Sequence, residues 1–425
     1  MRRPALLLGV LLVAGCSIAG GDRDGRTTVT FRLWDDQVAG AYRRSFATFE
    51  TTHPDLHVDV QVVPWADYWT KLPADLAAGT SADIFWTNTS NFGLYADNNR
   101  LLPVDPVPGW TKSVVDLYTR GGRLWSVPQL WDSIALYYNR DLVTAAGIDP
   151  AALAWDPAGT GDTFRAAARR LTTDSAGRHA GEAGFDPERI ATYGFNAAFD
   201  SQAIVWDFVG SNGGTWQSGD SFDFADRPET VQAVRYLVDL IDEDHVAPPA
   251  AETSTDGDKT LRLFTQGRMA LFQSGSYHLR SIQEGAGFSW GIAPLLKGPA
   301  GRVGVVHGVA AVASARTAHR DATVEVLKWI GTADGQEPIA EGGYAFPGVT
   351  AVQPAFVDHW RRRGVDLRPF LDSGSGTTFP APLGPRVGAG ETAYTPILQE
   401  VFLGRIGVAE GLRRAQDAGN AAMAG

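Results

Sequence analysis

The stretch Leu124–Leu142, LWSVPQLWDSIALYYNRDL, decides how the rest of the chain is read. Its run Ile134–Tyr138 is short, continuous and rich in β-formers, which predicts a strand buried on both faces. Just upstream stand a Pro, a Gln, a Trp and an Asp, residues that suit a strand crossing an open cleft. The segment is expected to be the first crossing between two α/β lobes.

On the N-terminal side the chain alternates strand and helix. Val29, Phe31 and Leu33 alternate within Thr28–Trp34, and Tyr42, Phe46 and Phe49 follow at helical spacing. Leu56–Val63 alternates again; Trp65, Tyr68, Trp69, Leu72 and Leu76 then recur as one helix face before Gly79. Ala82–Trp86 reads as a third strand that empties into a polar loop, Thr87–Asn91. Such alternation predicts a parallel sheet covered by helices, with ligands bound beyond the carboxyl ends of the strands. Those ends, Trp34–Gln37, Trp65–Asp67 and Trp86–Asn91, all carry aromatic and hydrogen-bonding side chains.

After the crossing, helices are expected at Asp162–Leu171, Ser201–Val209 and Thr260–Gln266, and strands at Thr192–Asn196, Met269–Gln273 and Trp290–Leu296. A further helix reads as capped by Asp226, with Pro228 in its first turn and Glu229 in the capping-box position. Gly and Pro make Lys297–Gly304 look like a second crossing. Val309–Ala313 and the helix Thr323–Ile330 would return to the first lobe, and closing helices are expected at Pro396–Phe402 and Val408–Ala418.

An aromatic and an Asp, then Ala-Leu-Tyr-Tyr-Asn at 135–139 and a helix opening Arg140-Asp141-Leu142, resemble the extracellular solute-binding proteins of carbohydrate ABC importers, the maltose-binding-protein-like family 1. Within that family the chain resembles the UspC-type sugar-binding lipoproteins. The resemblance runs from about Thr28 to the C-terminus. It implies an α/β, two-lobed type II periplasmic-binding-protein-like fold, with a ligand cleft between lobes and a third crossing near Tyr344–Val349. Both lobes would be discontinuous: residues 28–131 with 297–345, and residues 132–296 with 346–425.

At the N-terminus, Arg2 and Arg3 precede an apolar run, Pro4–Gly15, which is shorter than the ~20 residues that span a bilayer. Residues 1–15 therefore read as a signal peptide ending at a lipobox-like sequence before Cys16, the expected lipidation site, with 16–27 as a tether. A cut elsewhere, with Cys16 incidental, is the alternative. Cys16 is the only cysteine, so no intramolecular disulfide forms. The remaining length suits two domains. A net charge of −11 argues against nucleic acid as the main partner.

Enzyme motifs are missing: the sequence has no HExxH, no Gly-Lys of a Walker A loop, no G-x-S-x-G and no S-x-x-K. Pro54 between His53 and His57 spoils a metal-binding helix. No cofactor or metal is expected. Paired carboxylates drawn from Asp35, Asp36, Asp132 and Asp200 leave glycoside hydrolysis as an alternative, with a non-transport scaffold or adhesin as another.

A carbohydrate offers a C–H face and an edge of hydroxyls, so its site needs exposed aromatic faces and planar polar groups. Thirteen Trp raise the expectation of such a site without locating it. Trp34, Trp65 and Trp131 stand at strand ends or the crossing and divide evenly between site and core; Trp69, Trp329 and Trp360 read as core. Asn88 and Thr89 suit hydroxyl recognition, although an Asn-rich turn explains them almost as well. Asp132 in the interlobe segment needs a ligand or a neighbour to offset its burial.

The resemblance adds Trp206, Gly275 and Tyr277 as sugar-facing positions, and Arg386 and Glu391 as the last cleft residues. His307-Gly308 departs from the Gly pair common in similar proteins. Partners implied are a small carbohydrate, leaning to an amino sugar or its derivative, and separate ABC permease subunits. The chain would be a monomer held by its lipid on the outer face of the cell membrane.

Overall fold

The computed structural model describes residues 25–424 apart from Thr255 and Pro385; the expected signal peptide and Cys16 lie outside the described residues. Among the described residues eight strands form one sheet: β1 (Thr27–Leu33), β2 (Leu56–Val62), β3 (Ile84–Thr87), β4 (Val127–Asn139), β5 (Leu271–Gly275), β6 (Trp290–Ala293), β7 (Val306–Ala313) and β8 (Phe346–Pro347). The main path runs β5-β4-β7-β3-β1-β2, and β6 and β8 also pair with β4. β1 pairs in parallel with β2 and β3, and the remaining pairs are antiparallel. The mixed α/β fold implied by the resemblance is what forms.

The predicted crossing is longer than its apolar run. β4 carries on from Val127 through Asp132 to Asn139 without a break. Its first half pairs with β7 on one edge and β8 on the other, so that Trp131 lies between Gly308 and Phe346. Its second half pairs with β5 and β6. Three strands therefore run side by side at Leu130 and Trp131, joining the two halves of the sheet.

Strand alternation splits the core across β4. Ala135 and Tyr137 enter a cluster with Phe31, Tyr42, Trp86, Phe272 and Phe370; Ile134 and Leu136 enter a second with Trp155, Phe195, Trp206, Leu237 and Tyr394. Helices α1 (Asp36–Thr52), α2 (Trp65–Ala78) and α3 (Thr89–Asp97) each follow a strand of the parallel part. Asp35 caps α1 by accepting N–H groups from Gln37 and Val38, and Gly79, at φ 74°, ends α2 in the left-handed conformation that glycine adopts freely.

Several local expectations shift. The loop expected at Thr87–Asn91 closes into α3 because the Asn88 side chain accepts the Asn91 N–H and caps it. Asp226 is not a helix cap: its carboxylate takes a bond from Gln416, and the helix Pro228–Asp242 starts after Arg227. The strand expected at Thr192–Asn196 is the shorter Ile190–Thr192, and the Asn196 amide holds Gln273 of β5 on both its N–H and its C=O. The helix expected at Ser201–Val209 is a π-turn, Ser201–Val205, running into α4 (Trp206–Ser211). The helix expected at Pro396–Phe402 starts earlier, as α5 (Val387–Phe402).

Leu136 is fully buried on the strand that pairs with β5, β6, β7 and β8. Leu136→Ala should lower the unfolding free energy by about 2–5 kcal/mol, read as a fall in the urea midpoint. A loss under about 1 kcal/mol would mean that the strand does not hold the second core.

Candidate functional site

A cavity of about 730 Å³ opens beside the ends of the parallel strands. One wall is Trp65 and Trp69 of α2 with Asn91 of α3; the other is built from Asn196–Trp206 and from Gly388–Pro396 of α5. Pro64 ends the turn after β2 and starts α2, and this places Trp65 and Trp69, one turn apart, on the cavity side.

The aromatic wall is a cluster. The Trp34 ring lies 5.3 Å from Trp65, 5.1 Å from Tyr68, 5.4 Å from Trp69 and 4.9 Å from Trp86. Trp65, 52% exposed, presents the open face of this cluster. Trp69 and, across the cavity, Trp206 line it with rings whose Nε1 donors are covered and have no protein acceptor.

The opposing wall is polar. Asp200 caps the π-turn by accepting the N–H groups of Gln202 and Ala203, which lines up Ser201 and Gln202 on the cavity. π-turns inside helices recur at functional sites. Thr392, Thr395 and Glu391 complete that wall from α5.

Next to the cavity, Asp132 of β4 stands opposite His307 of β7 in the ladder, with both side chains on one face of the sheet. Asp132 Oδ1 and His307 Nε2 are both closed to water and without a hydrogen-bond partner. Burial pushes the Asp132 carboxyl up to about 8 and the His307 imidazole down to about 4. The His307 ring lies against the backbone of Gln202 on the cavity wall, and Asp200 and Asp132 both lie close enough to Tyr277 to act on its phenol.

The structure thus brings Trp65, Trp206 and Glu391 to the cavity itself, and sets Trp34, Asp132, Tyr277 and His307 against its walls. Gly275 backs Tyr277: a Cβ there would meet that ring at 2.0 Å, and its carbonyl accepts the Tyr137 hydroxyl. The other expected residues have different neighbours. Trp131 is 7% exposed and stacks on Phe346 at 4.4 Å, on the face of β4 opposite Asp132. Gly308 gives room to the helix Lys112–Leu117 and to Tyr118, whose hydroxyl donates to its carbonyl. Asn88 caps α3 and Thr89 is its first residue. Asp36 is exposed in the first turn of α1, and Arg386 is exposed ahead of α5.

Asn91 belongs to the strand end Trp86–Asn91 expected on the ligand side, whereas Trp69, Ser201, Gln202, Thr392 and Thr395 were not expected at the site. The i, i+4 spacing of Trp65 and Trp69 carried the signal for Trp69; the others depend on a π-turn and a helix start that no periodicity marks. Among the described residues no cluster of three or more His, Cys, Asp or Glu is placed to hold a metal ion.

The family model for bacterial extracellular solute-binding proteins matches residues 35–337. The chain belongs to this family. As a solute-binding protein it is not the glycan hydrolase that paired carboxylates left open. M. tuberculosis UspC, in a crystal structure, is 45% identical to this solute-binding protein, with a TM-score of 0.78 over 93% of this chain and 100% of that one. The ABC substrate-binding protein Lmo0181 from Listeria monocytogenes, solved with cycloalternan, is 19% identical and shares the fold at a TM-score of 0.80, over 94% of this chain and 99% of that one. An uncharacterised lipoprotein of Streptomyces antibioticus is 24% identical over 317 residues, 72% of this chain and 66% of its own.

Two substitutions separate site from scaffold. Trp65→Ala should leave the melting temperature nearly unchanged, since the ring is half exposed, and should weaken ligand binding about tenfold through lost stacking. Gly308→Val should do the reverse, costing about 1–3 kcal/mol of stability because its Cβ meets Val114 at 3.0 Å, with ligand affinity retained. Calorimetric titration and thermal melts of both variants check the contrast.

Proposed function

We propose that the protein captures a carbohydrate in this cavity by hinge closure and delivers it to an ABC importer. The observation that carries the reading is the contrast between the cavity walls. Half-exposed indole on one side suits a C–H face, and hydroxyl, amide and carboxylate groups on the other suit an edge of hydroxyls. Cycloalternan bound to a protein of the same fold supports it.

The two lobes of the proposal are residues 28–131 with 297–345 and residues 132–296 with 346–425. Ligand touching both walls would stabilise the closed form by the contacts that the open form lacks. Asp132 beside the cavity and Glu391 in its wall lean the ligand towards an amino sugar or its derivative, whose ammonium gains a charge-assisted hydrogen bond from a carboxylate. Permease and ATPase subunits are separate chains in this reading.

Thermal melts of the soluble chain with neutral, amino, acidic and phosphorylated sugars and short oligosaccharides test it. A specific ligand at 100 times its Kd should add about 2.7 kcal/mol of stability, without product formation. A null result across the panel would sink the carbohydrate assignment.

Anchoring is proposed through a lipid on Cys16, supported by the lipobox-like sequence and by the Streptomyces lipoprotein relative. Among the described residues no helix is long and apolar enough to cross a membrane. Cys16→Ser should move the full-length protein from the detergent phase to the aqueous phase in Triton X-114 partitioning; unchanged partitioning would refute the lipid.

A further inference from the structure

The pair Asp132 and His307 holds two unpaired polar atoms side by side at the waist of the molecule. Each stands directly opposite the other in the β4–β7 ladder, and neither Oδ1 nor Nε2 has a protein partner. Polar atoms without a protein partner are costly unless water or a ligand completes them, and here both residues are partly exposed, with Oδ1 and Nε2 as their covered atoms. With no cation pairing it, burial raises the pKa of this carboxyl and favours the neutral acid.

The groups facing it fit that state. Across the ladder is the neutral imidazole of His307. On the turn after β5 are the Tyr277 phenol and His278, which burial holds down to about 4; Tyr137 lies further along β4. Asp200, on the cavity wall, acts on the same Tyr277 phenol, and burial raises its own pKa. The charged residues on two helices packed against β4 are paired at the surface, Arg368 with Asp366 and Lys112 with Asp116, and Asp372 is exposed.

We propose that Asp132, opposite His307, reads the charge of the ligand, and that capture of an ammonium-bearing sugar releases one proton from this carboxyl. This rests on the carbohydrate reading and extends it to how the site is regulated. The carboxyl O–H bond breaks, its proton leaves to solvent, and the ligand N–H donates to the carboxylate that remains. His307 does not take the proton, because the same burial that keeps the acid neutral opposes a charged imidazole. A neutral sugar binds the intact acid, which donates to a hydroxyl, and no proton moves. Capture of the amine therefore tightens as pH rises from 6 towards 8 until the ligand amine itself loses its charge, whereas a neutral sugar shows no such slope.

Calorimetric titration at pH 6 in buffers of different ionisation enthalpy counts the protons. Glucosamine-class ligands should release close to one proton from the wild type and from His307→Gln, and none from Asp132→Asn; the matching neutral sugar should release none from any of the three. Binding of the amine without proton release in both wild type and His307→Gln overturns the linkage alone. Failure of every sugar to bind overturns the carbohydrate reading.

A second readout needs no ligand. Asp132 protonated in the folded state and ionised when unfolded makes folding take up a proton between about pH 4 and 8. The urea midpoint of the wild type should therefore fall, relative to Asp132→Asn, as pH rises from 5 to 8. Parallel pH profiles for the two proteins would show that the carboxyl ionises normally and would overturn the proposal.

Discussion

The hydrogen-bond ladder of β4 is the constraint on which everything else rests. A strand with buried residues on both faces has to satisfy its backbone N–H and C=O groups on both edges, since water cannot do so. Here four strands do it, at 271–275, 290–293, 306–313 and 346–347, all more than 130 residues downstream of the start of β4. The chain therefore returns repeatedly to one line of residues. Contacts so distant in sequence have to close large loops, which slows folding, and they leave few ways for the two halves of the sheet to be joined.

The cavity follows from the same geometry. Parallel strands β1, β2 and β3 end together, and the helices that follow them start with Asp35, Pro64 and Asn88 as caps or entry residues. The Trp cluster stands where two of those strands end, because Trp34 follows β1 directly and Trp65 starts the helix after β2. The polar wall comes from a different device, a π-turn held by Asp200. One wall is thus fixed by sheet order and the other by a local irregularity.

That difference explains what could be read from the sequence. The parallel β–α units, the buried strand at Ile134–Tyr138 and the shift from period two to helical spacing were legible because each follows a pattern along the chain. Trp65, Trp206 and Glu391 were legible as cavity residues through position or resemblance. Gln202 and Thr395 were not, because the start of α5 and the extra residue of a π-turn depend on tertiary packing. Asp226 misled for a related reason: the local cap motif was present, but Gln416, 190 residues away in sequence, offered its carboxylate a competing partner. The reading of Trp131 stayed divided because a strand shows its period and not which face meets the core.

Alternation along β4 and β7 also separates what selection can alter from what it cannot. Trp131 and Gly308 face Phe346 and a packed helix, so nearly any replacement there disturbs the fold. Their neighbours Asp132 and His307 point the other way and bond no core atom through Oδ1 or Nε2. On the proposed role of this pair, duplicated copies of such a gene would diverge in what they carry by exchanging two facing positions, while the residues beside them remain unchanged. A single inserted residue in β4 would be a different event, since it would exchange the two faces at once and lose both the fold and the cargo.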